Sequence, residues 1–191
     1  MSSLLRNTRK TERGAKQFLA RFVVRAAPFA FLKFLLLSAV GTTLAGSATA
    51  QGLVMQRNLS LDMAKTIAEA TIGECRAKGF HTAAVVVDRA GQVMVLLRDE
   101  QTAPQVAEMA RRKAFTARMF RSTTLEFQKR TASDPSLAPQ RNVADILALG
   151  GGVPIQVGKE IIGGVGSAGS NQEQDDACAK AGVAKVADLL K

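Results

Sequence analysis

Residues 150–170 read GGGVPIQVGKEIIGGVGSAGS, and this stretch decides between two folds. Eight of its 21 residues are glycine, and Gly164 to Gly169 match the pattern G-x-G-x-x-G of dinucleotide-binding proteins. That pattern belongs to a parallel strand–helix–strand unit with an acidic residue after the second strand. Only 22 residues follow Gly169, and their pattern is that of a single helix. A parallel crossover cannot be completed, so the sequence argues against a dinucleotide site.

The same stretch predicts an antiparallel hairpin instead. Residues 153–157 and 161–168 are strand-like runs joined by the turn 158–160. Two explanations for Gly164 and Gly166 stay open. Either they let a helix pack tightly on the strand, or they leave bare backbone that a flat ligand can approach.

The residues before this hairpin predict a second hairpin and three helices. The signals are a cap at Ser60, two apolar strands around Gly91, a cap at Thr102, and a capping box at Thr123 and Glu126. Residues 131–141 are predicted as a loop and residues 142–149 as a helical turn. With the last helix the order is α-ββ-αα-ββ-α, which predicts an α+β fold: one compact domain with an antiparallel sheet flanked by helices.

The N-terminus has the pattern of an export signal. Residues 1–50 hold eight Lys or Arg and one Glu, and an apolar run beginning at Phe34 leads to Ala48-Thr49-Ala50, a small-x-small cleavage pattern. We expect a leader at 1–50, a linker at 51–58 and a domain at 59–191, so that the mature protein is periplasmic or secreted after cleavage near Ala50. The alternative is an N-terminal membrane anchor that is retained.

Removing the leader also removes most of the charge. The whole chain carries +10, of which residues 51–191 hold 18 basic and 15 acidic residues, or +3. There is no Trp or Tyr to stack on bases. We therefore expect no nucleic-acid partner. Cys75 and Cys178 both lie on predicted helices, and they either pair in the oxidising compartment or remain two buried thiols.

Five segments in series resemble a known family. They are AVVVDRAGQVMVLLRDE (84–100), RRKAFTARMF (111–120), GGVPI (151–155), GKEIIGGVG (158–166) and QEQDDACAKAG (172–182). Their order and spacing are similar to those of the GlcG/HbpS-like haem-binding family, which is related to the C-terminal domain of PduO-type proteins. The resemblance covers about Leu59 to Leu190.

The resemblance implies a compact α+β domain that forms homo-oligomers and binds haem, in some members as an exported accessory of a sensor. One departure from the family is visible. The family more often has Gly-Val-Ser-Gly where this chain has Gly166-Ser167-Ala168-Gly169, which puts a ligand contact by that serine in doubt.

Six residues are candidates for a haem site. Lys113 lies on the apolar stripe of its helix, where an amine would pair with a haem propionate, and Arg98 is a second candidate cation. Thr116 carries the hydroxyl of the family's K-A-[YF]-T-A segment. Gly164 and Gly166 would line the ligand surface. His81, the chain's single histidine, is the candidate metal ligand. Each has a plain alternative as a packing or surface residue.

No catalytic constellation stands out in the sequence. There is no G-x-S-x-G elbow, and Asp175 and Asp176 are adjacent on a helix and point in different directions. The favoured function is an exported small-ligand-binding protein, with haem as cofactor, that acts as a sensor or transport accessory. We expect a homo-oligomer with no stable membrane span after cleavage. The alternatives are an enzyme acting on a small carboxylated metabolite in the same cleft and a structural oligomerisation module.

Overall fold

The computed structural model describes residue 52 and residues 54–191. The predicted leader, residues 1–50, lies outside the described residues. The described part of the chain has four α-helices, four strands and two short 3-10 helices. In chain order they are α1 (Leu61–Ala77), β1 (Ala83–Val87), β2 (Val93–Arg98), α2 (Gln105–Phe120), α3 (Thr124–Ser133), a 3-10 helix (Pro135–Asn142), β3 (Gly152–Val157), β4 (Glu160–Ala168), α4 (Gln172–Ala184) and a 3-10 helix (Ala187–Leu189).

The four strands form one antiparallel sheet in the order β2-β1-β4-β3. The prediction of an α+β domain with an antiparallel sheet flanked by helices is confirmed. The glycine-rich stretch forms the β3–β4 hairpin, and β4 lies beside β1 with Val85 opposite Gly166. β1 is buried along its whole length, which explains its continuous run of Ala and Val. β2 is an edge strand with Val93 and Leu96 exposed.

Helices cover both faces of the sheet. On one face, α1 and α4 pack against side chains such as Ala84, Val86 and Ile155 and enclose the larger core. On the other face, α2 packs against Ala83, Val85 and Ala168. Among the described residues, no helix combines the length and the apolar character needed to cross a membrane.

Most helix starts follow the sequence. The Ser60 hydroxyl accepts a hydrogen bond from Met63 N at 3.2 Å, and Thr123 and Glu126 form the predicted capping box. The prediction that Thr102 caps α2 is wrong. That helix begins after Pro104 without a side-chain cap, and the buried Thr102 hydroxyl has no partner among the described residues.

The long connection from α3 to β3 differs from the prediction. α3 extends to Ser133, and a 3-10 helix spans most of the residues expected to form a loop. Residues 143–149 have no helix; they lie across α2, where Ile146 is 2% exposed. Arg112 Nη2 donates to the Ile146 carbonyl at 2.5 Å, and Arg111 Nη2 donates to Asp145 Oδ1 at 2.6 Å. These side-chain contacts from α2 determine the path of residues 143–149, and the helix propensity of the segment itself does not.

Cys75 and Cys178 form a disulfide that joins α1 to α4. Their Cα atoms are 5.5 Å apart, and both residues are fully buried. The sequence leaves open a disulfide or two buried thiols, and the structure contains the disulfide.

The glycines of the β3–β4 hairpin allow α2 to lie on the backbone of the sheet. A β-carbon on Gly164 would be 2.5 Å from the Ala114 carbonyl oxygen. A β-carbon on Gly166 would be 2.7 Å from Ala114 N and would overlap the Ala110 carbonyl oxygen. Since these neighbours are helix backbone, they cannot move aside without moving the helix.

Gly166→Ala is therefore expected to destabilise the fold, because α2 must shift away from β4 to admit the methyl group. A urea unfolding curve measures the loss. Gly73→Ala is the matched control for stability, because a β-carbon there meets no atom within 4 Å. We expect that control to be neutral or stabilising, by up to about 1 kcal/mol, because alanine favours the helix. Equal midpoints for Gly166→Ala and the wild type would contradict the packing argument.

Candidate functional site

A buried carboxylate at the end of β2 organises the first cluster of polar side chains. Asp99 Oδ2 accepts hydrogen bonds from Arg76 Nε at 3.1 Å and from Arg76 Nη2 at 2.8 Å. Asp99 Oδ1 accepts a hydrogen bond from Gln101 N at 3.1 Å and lies 3.1 Å from His81 Nδ1. The Asp99 side chain is 1% exposed, whereas that of Arg76, on α1, is 57% exposed. The cluster therefore joins α1 to the sheet and reaches the surface.

These contacts hold Asp99 in its charged form. Hydrogen bonds from Arg76 and from the Gln101 backbone lower the pKa of the Asp99 carboxyl to about 2, from a usual value of 3.8. A lowered pKa in the folded state means that the carboxylate contributes stability above the unfolded value, and that this contribution is lost as the pH falls through the folded value.

We therefore expect Asp99 to contribute to acid unfolding between about pH 4 and pH 2. Asp99→Asn should destabilise the protein at neutral pH and flatten the pH dependence of stability in that window. Thermal melts of the two proteins from pH 7 to pH 2 measure the difference. Coinciding curves for wild type and variant would show that the Arg76–Asp99 contact adds nothing, and parallel curves with an offset would show that ionisation of Asp99 does not cause the pH dependence.

A groove of about 360 Å³ opens beside this cluster, between α1 and β2. Its lining residues are Glu69, Ile72, Gly73, Arg76, Leu97, Arg98 and Asp99. The helix residues fall on one face of α1 because their spacing is three and four. The groove thus combines an apolar floor with charged groups, and its size falls within the range of small-molecule sites.

Gly73 in this groove has no packing role that the structure shows. It lies in the middle of α1, where glycine costs about 1 kcal/mol relative to alanine. A β-carbon there would meet nothing within 4 Å, unlike the glycines beneath α2. The bare backbone at Gly73 leaves room for another molecule to approach the helix.

The structure brings one of the predicted site residues, Arg98, to this groove. Arg98 lines it, and its Nη1 donates to the backbone carbonyls of Thr102 and, at 3.4 Å, Asp99. Among the described residues Arg98 has no acidic partner within 4 Å. His81 is not in the lining: its Nδ1 is buried 3.1 Å from Asp99 Oδ1 and makes no hydrogen bond to the described residues. Both residues flank one buried carboxylate, which the sequence analysis did not single out.

Lys113 belongs to a second, closed cluster. Its amine points inward as predicted and is 2% exposed, but it already has partners. Lys113 Nζ lies 2.7 Å from Asp175 Oδ2 and donates to the Ser167 carbonyl at 3.0 Å. Burial lowers the pKa of the Lys113 amine, and the Asp175 carboxylate opposes that shift. The pair holds α2 against α4, and the proposed contact with a propionate stays a prediction.

Thr116 and the two glycines also have partners within the fold. The Thr116 hydroxyl donates to the Arg112 carbonyl at 2.7 Å and accepts from Leu147 N at 2.9 Å, and the residue is fully buried. Gly164 and Gly166 face the α2 backbone. The structure explains these three residues without a ligand, so their roles in binding stay predictions that no contact supports.

Arg76, Asp99 and Gly73 are the residues that sequence reasoning missed. Arg76 is on the polar side of a helical pattern, and Asp99 follows a strand, so both have the pattern of ordinary surface residues. The available signal was Gly73, a glycine inside an otherwise regular helix, which marks a place where something approaches the backbone.

The fold and the groove define a class: a small α+β domain with an open site between its first helix and the edge strand. This chain belongs to the HbpS-like family, whose model, described as "Haem degrading protein HbpS-like", matches residues 59–184. That range includes all four strands and all four α-helices of the described part of the chain.

Solved structures agree with this assignment. HbpS is 34% identical with a TM-score of 0.66, and the match covers 69% of this chain and 92% of that one. A double mutant of Streptomyces reticuli HbpS is 31% identical with a TM-score of 0.65, and the match covers 84% of this chain and 97% of that one. A PduOC:haem complex is 23% identical with a TM-score of 0.61 and shares the fold; the match covers 68% of this chain and 95% of that one. No match is found among curated protein sequences.

Proposed function

We propose that this protein binds haem in the groove between α1 and β2. The observation that carries the proposal is the composition of that groove in a chain of the HbpS-like family. It offers the apolar side chains of Ile72 and Leu97, a helix backbone left bare at Gly73, and a cation without an acidic partner among the described residues at Arg98. One solved protein with the same fold, PduOC, forms a complex with haem.

The lining of the groove contains two acidic residues, Glu69 and Asp99, and two cations, Arg76 and Arg98, and we assign the carboxylate of the ligand to Arg98. Asp99 is compensated by Arg76, since the two make two hydrogen bonds. Arg98 lacks such a partner among the described residues, so its guanidinium is available for a propionate. Ile72 and Leu97 supply apolar surface for the ring. Because the groove is open, the bound ligand stays partly exposed.

Titration of the purified protein with haemin tests the proposal. We expect a saturable shift of the Soret band and a weaker affinity for Arg98→Met. The matched control is Lys159→Met, which removes the same charge from the β3–β4 turn and leaves the groove intact. Absence of a saturable shift in the wild type would overturn the proposal. An equal loss of haemin affinity in Arg98→Met and Lys159→Met would mean that haem does not bind at Arg98.

Gly73 gives a second test of the same groove. Gly73→Leu places a side chain in open space on α1, so it should leave the apoprotein folded while weakening haemin binding. Circular dichroism of the apoprotein and the haemin titration report the two effects separately. Unchanged affinity in a folded Gly73→Leu protein would exclude the groove as the site.

The name of the family adds a second candidate, haem degradation. Degradation needs an oxidant, and hydrogen peroxide is the simplest to supply. If the protein degrades haem, the Soret band of the complex decays faster with peroxide than that of free haemin. Equal or slower decay would restrict the function to binding.

We further propose that the protein works outside the cytoplasm, as a sensor or transport accessory. The support is the buried disulfide between Cys75 and Cys178, a linkage typical of oxidising compartments, together with the predicted leader. Fractionation of the producing cell, followed by an absorption spectrum of the exported protein, tests the location and the bound pigment together. Protein confined to the cytosol would refute it.

We also propose that the chain forms a homo-oligomer. Val93 and Leu96 are 45% and 47% exposed on β2, an edge strand, and leave apolar surface uncovered. Light scattering during gel filtration measures the mass, and Leu96→Glu should reduce it. A monomer at micromolar concentration would refute the proposal.

A further inference from the structure

The groove face of α1 carries a stripe of residues that is complementary to itself. Glu69, Gly73 and Arg76 are exposed and follow one another at steps of four and three, so they lie on one side of the helix. Along the helix axis, Gly73 is about 6 Å from Glu69 and about 4.5 Å from Arg76. When a second α1 runs in the opposite direction beside Gly73, Glu69 of each helix therefore faces Arg76 of the other.

Both charged side chains of the stripe can make this contact. Among the described residues, Glu69 has no cation within 4 Å, in contrast to Glu74, which pairs with Lys78. Arg76 binds Asp99 through Nε and Nη2, so its Nη1 has no hydrogen bond to the described residues, and its side chain is 57% exposed. Opposite charges that meet at both ends of the stripe favour the reversed orientation of a second copy over a parallel one.

Gly73 lets the backbones of the two helices approach each other. A β-carbon there would meet no atom within 4 Å, so packing inside the domain does not require glycine at this position. Glycine in a helix interior destabilises the helix relative to alanine. A position without a side chain admits the close approach of another backbone, and beside a two-fold axis Gly73 of one copy meets Gly73 of the other. A contact between copies gives this glycine a packing role.

The strand beside the stripe is also open to a second copy. Asp99 N donates to the Thr82 carbonyl, so these two residues form a hydrogen-bonded pair that continues the β1–β2 ladder. Such pairs alternate along antiparallel strands, and Leu96 and Arg98 therefore direct their N–H and C=O groups away from β1. The opposite edge strand, β3, contains Pro154, which protects an edge from pairing. β2 has no proline and exposes Leu96 instead.

We propose that a second copy of this chain binds the groove, with α1 of each copy antiparallel to α1 of the other and a two-fold axis beside Gly73. One contact covers the stripe and the open edge together, because Leu97 of β2 lines the same groove. This contact lies on the surface assigned to haem and in that respect rests on the proposed function. Haem and the second copy exclude one another, so haemin separates the copies by binding the uncovered groove.

Cross-linking tests the contact without haem. Gly73→Cys places a thiol in open space beside the two-fold axis, and the described part of the chain has no other free cysteine. We expect mild oxidation to join two Gly73→Cys chains into a dimer on a non-reducing gel. The matched control is Glu74→Cys, since residue 74 lies about 100° around the helix and is not in the groove lining. Equal yields of dimer for Gly73→Cys and Glu74→Cys, or no dimer for either, would overturn the proposal.

Charge reversal gives a second test on the apoprotein. Glu69→Lys sets a like charge against the second copy's Arg76, so the mass measured by light scattering should fall by half. Glu74→Lys makes the same change outside the groove and should leave the mass of the wild type. Circular dichroism verifies that both variants are folded. A wild-type apoprotein that is monomeric at micromolar concentration, or a folded Glu69→Lys protein with the wild-type mass, would contradict the contact.

Haemin separates this proposal from the proposed function. We expect saturating haemin to halve the mass of the wild type while the Soret band shifts. If Gly73→Cys cross-links and the wild type takes up no haemin, the contact between copies stands and the proposed function fails. If haemin binds and the mass stays that of the dimer, haem binding stands and the shared surface is refuted.

Discussion

Replacing Cys75 and Cys178 together with alanine is expected to lower the free energy of unfolding by about 4–5 kcal/mol. The disulfide closes a loop with a sequence separation of 103, and the entropy that such a loop removes from the unfolded chain corresponds to about 4.7 kcal/mol for 100 residues. Urea unfolding followed by circular dichroism measures the change, which is a large part of the stability of an ordinary domain.

The oxidised and reduced wild-type proteins give the matched comparison. Both cysteines are fully buried, so we expect reduction to be slow in the native state and fast in denaturant. Cys178→Ala alone should cost about as much as the double variant, because either change opens the loop. If the free energy of unfolding of the double variant lies within about 1 kcal/mol of the wild-type value, the α1–α4 packing stabilises the fold without the disulfide.

Lys113→Met is expected to cost about 3–5 kcal/mol, the second large effect. The substitution keeps most of the side-chain volume and leaves the Asp175 carboxylate buried without its cation. Removing one member of a buried ion pair costs more than the pair contributes, because the remaining charge is not solvated. Denaturant unfolding at neutral pH measures the loss.

Lys180→Met is the control for Lys113→Met. Lys180 pairs with Asp176 at 2.7 Å, but its side chain is 57% exposed, so we expect a cost of at most about 1 kcal/mol. Combining Lys113→Met with Asp175→Asn should cost less than the sum of the single changes, since neither charge is then left alone. Equal effects of Lys113→Met and Lys180→Met would mean that the buried pair carries no special energy.

The hairpins and the fold class could be predicted because local patterns determine them. Gly91 supplies the positive φ of the first hairpin, and the 22 residues after Gly169 are too few for a parallel crossover. The segment 143–149 could not be predicted, because its path depends on Arg111, Arg112 and Thr116, which are distant in sequence.

The candidate site was only half accessible to sequence reasoning. His81 and Arg98 were identified from residue type, and the structure places both beside Asp99. Lys113 was identified from its place on an apolar stripe, a pattern that predicts burial but not the partner. That partner, Asp175, is 62 residues away on another helix. Pairing between distant residues follows from the tertiary packing, which periodicity does not reveal.

The covalent link between α1 and α4 has a mechanical consequence. If the two ends of the domain are pulled apart, the load passes through the sulfur–sulfur bond, so the chain between Cys75 and Cys178 cannot lengthen. Only residues outside that pair can be drawn out under tension. The sheet and the groove lie between the two cysteines, apart from the turns of α1 before Cys75. Single-molecule stretching measures the increase in chain length on unfolding. Reduction of the disulfide should add roughly 3.5 Å to that increase for each residue that it releases.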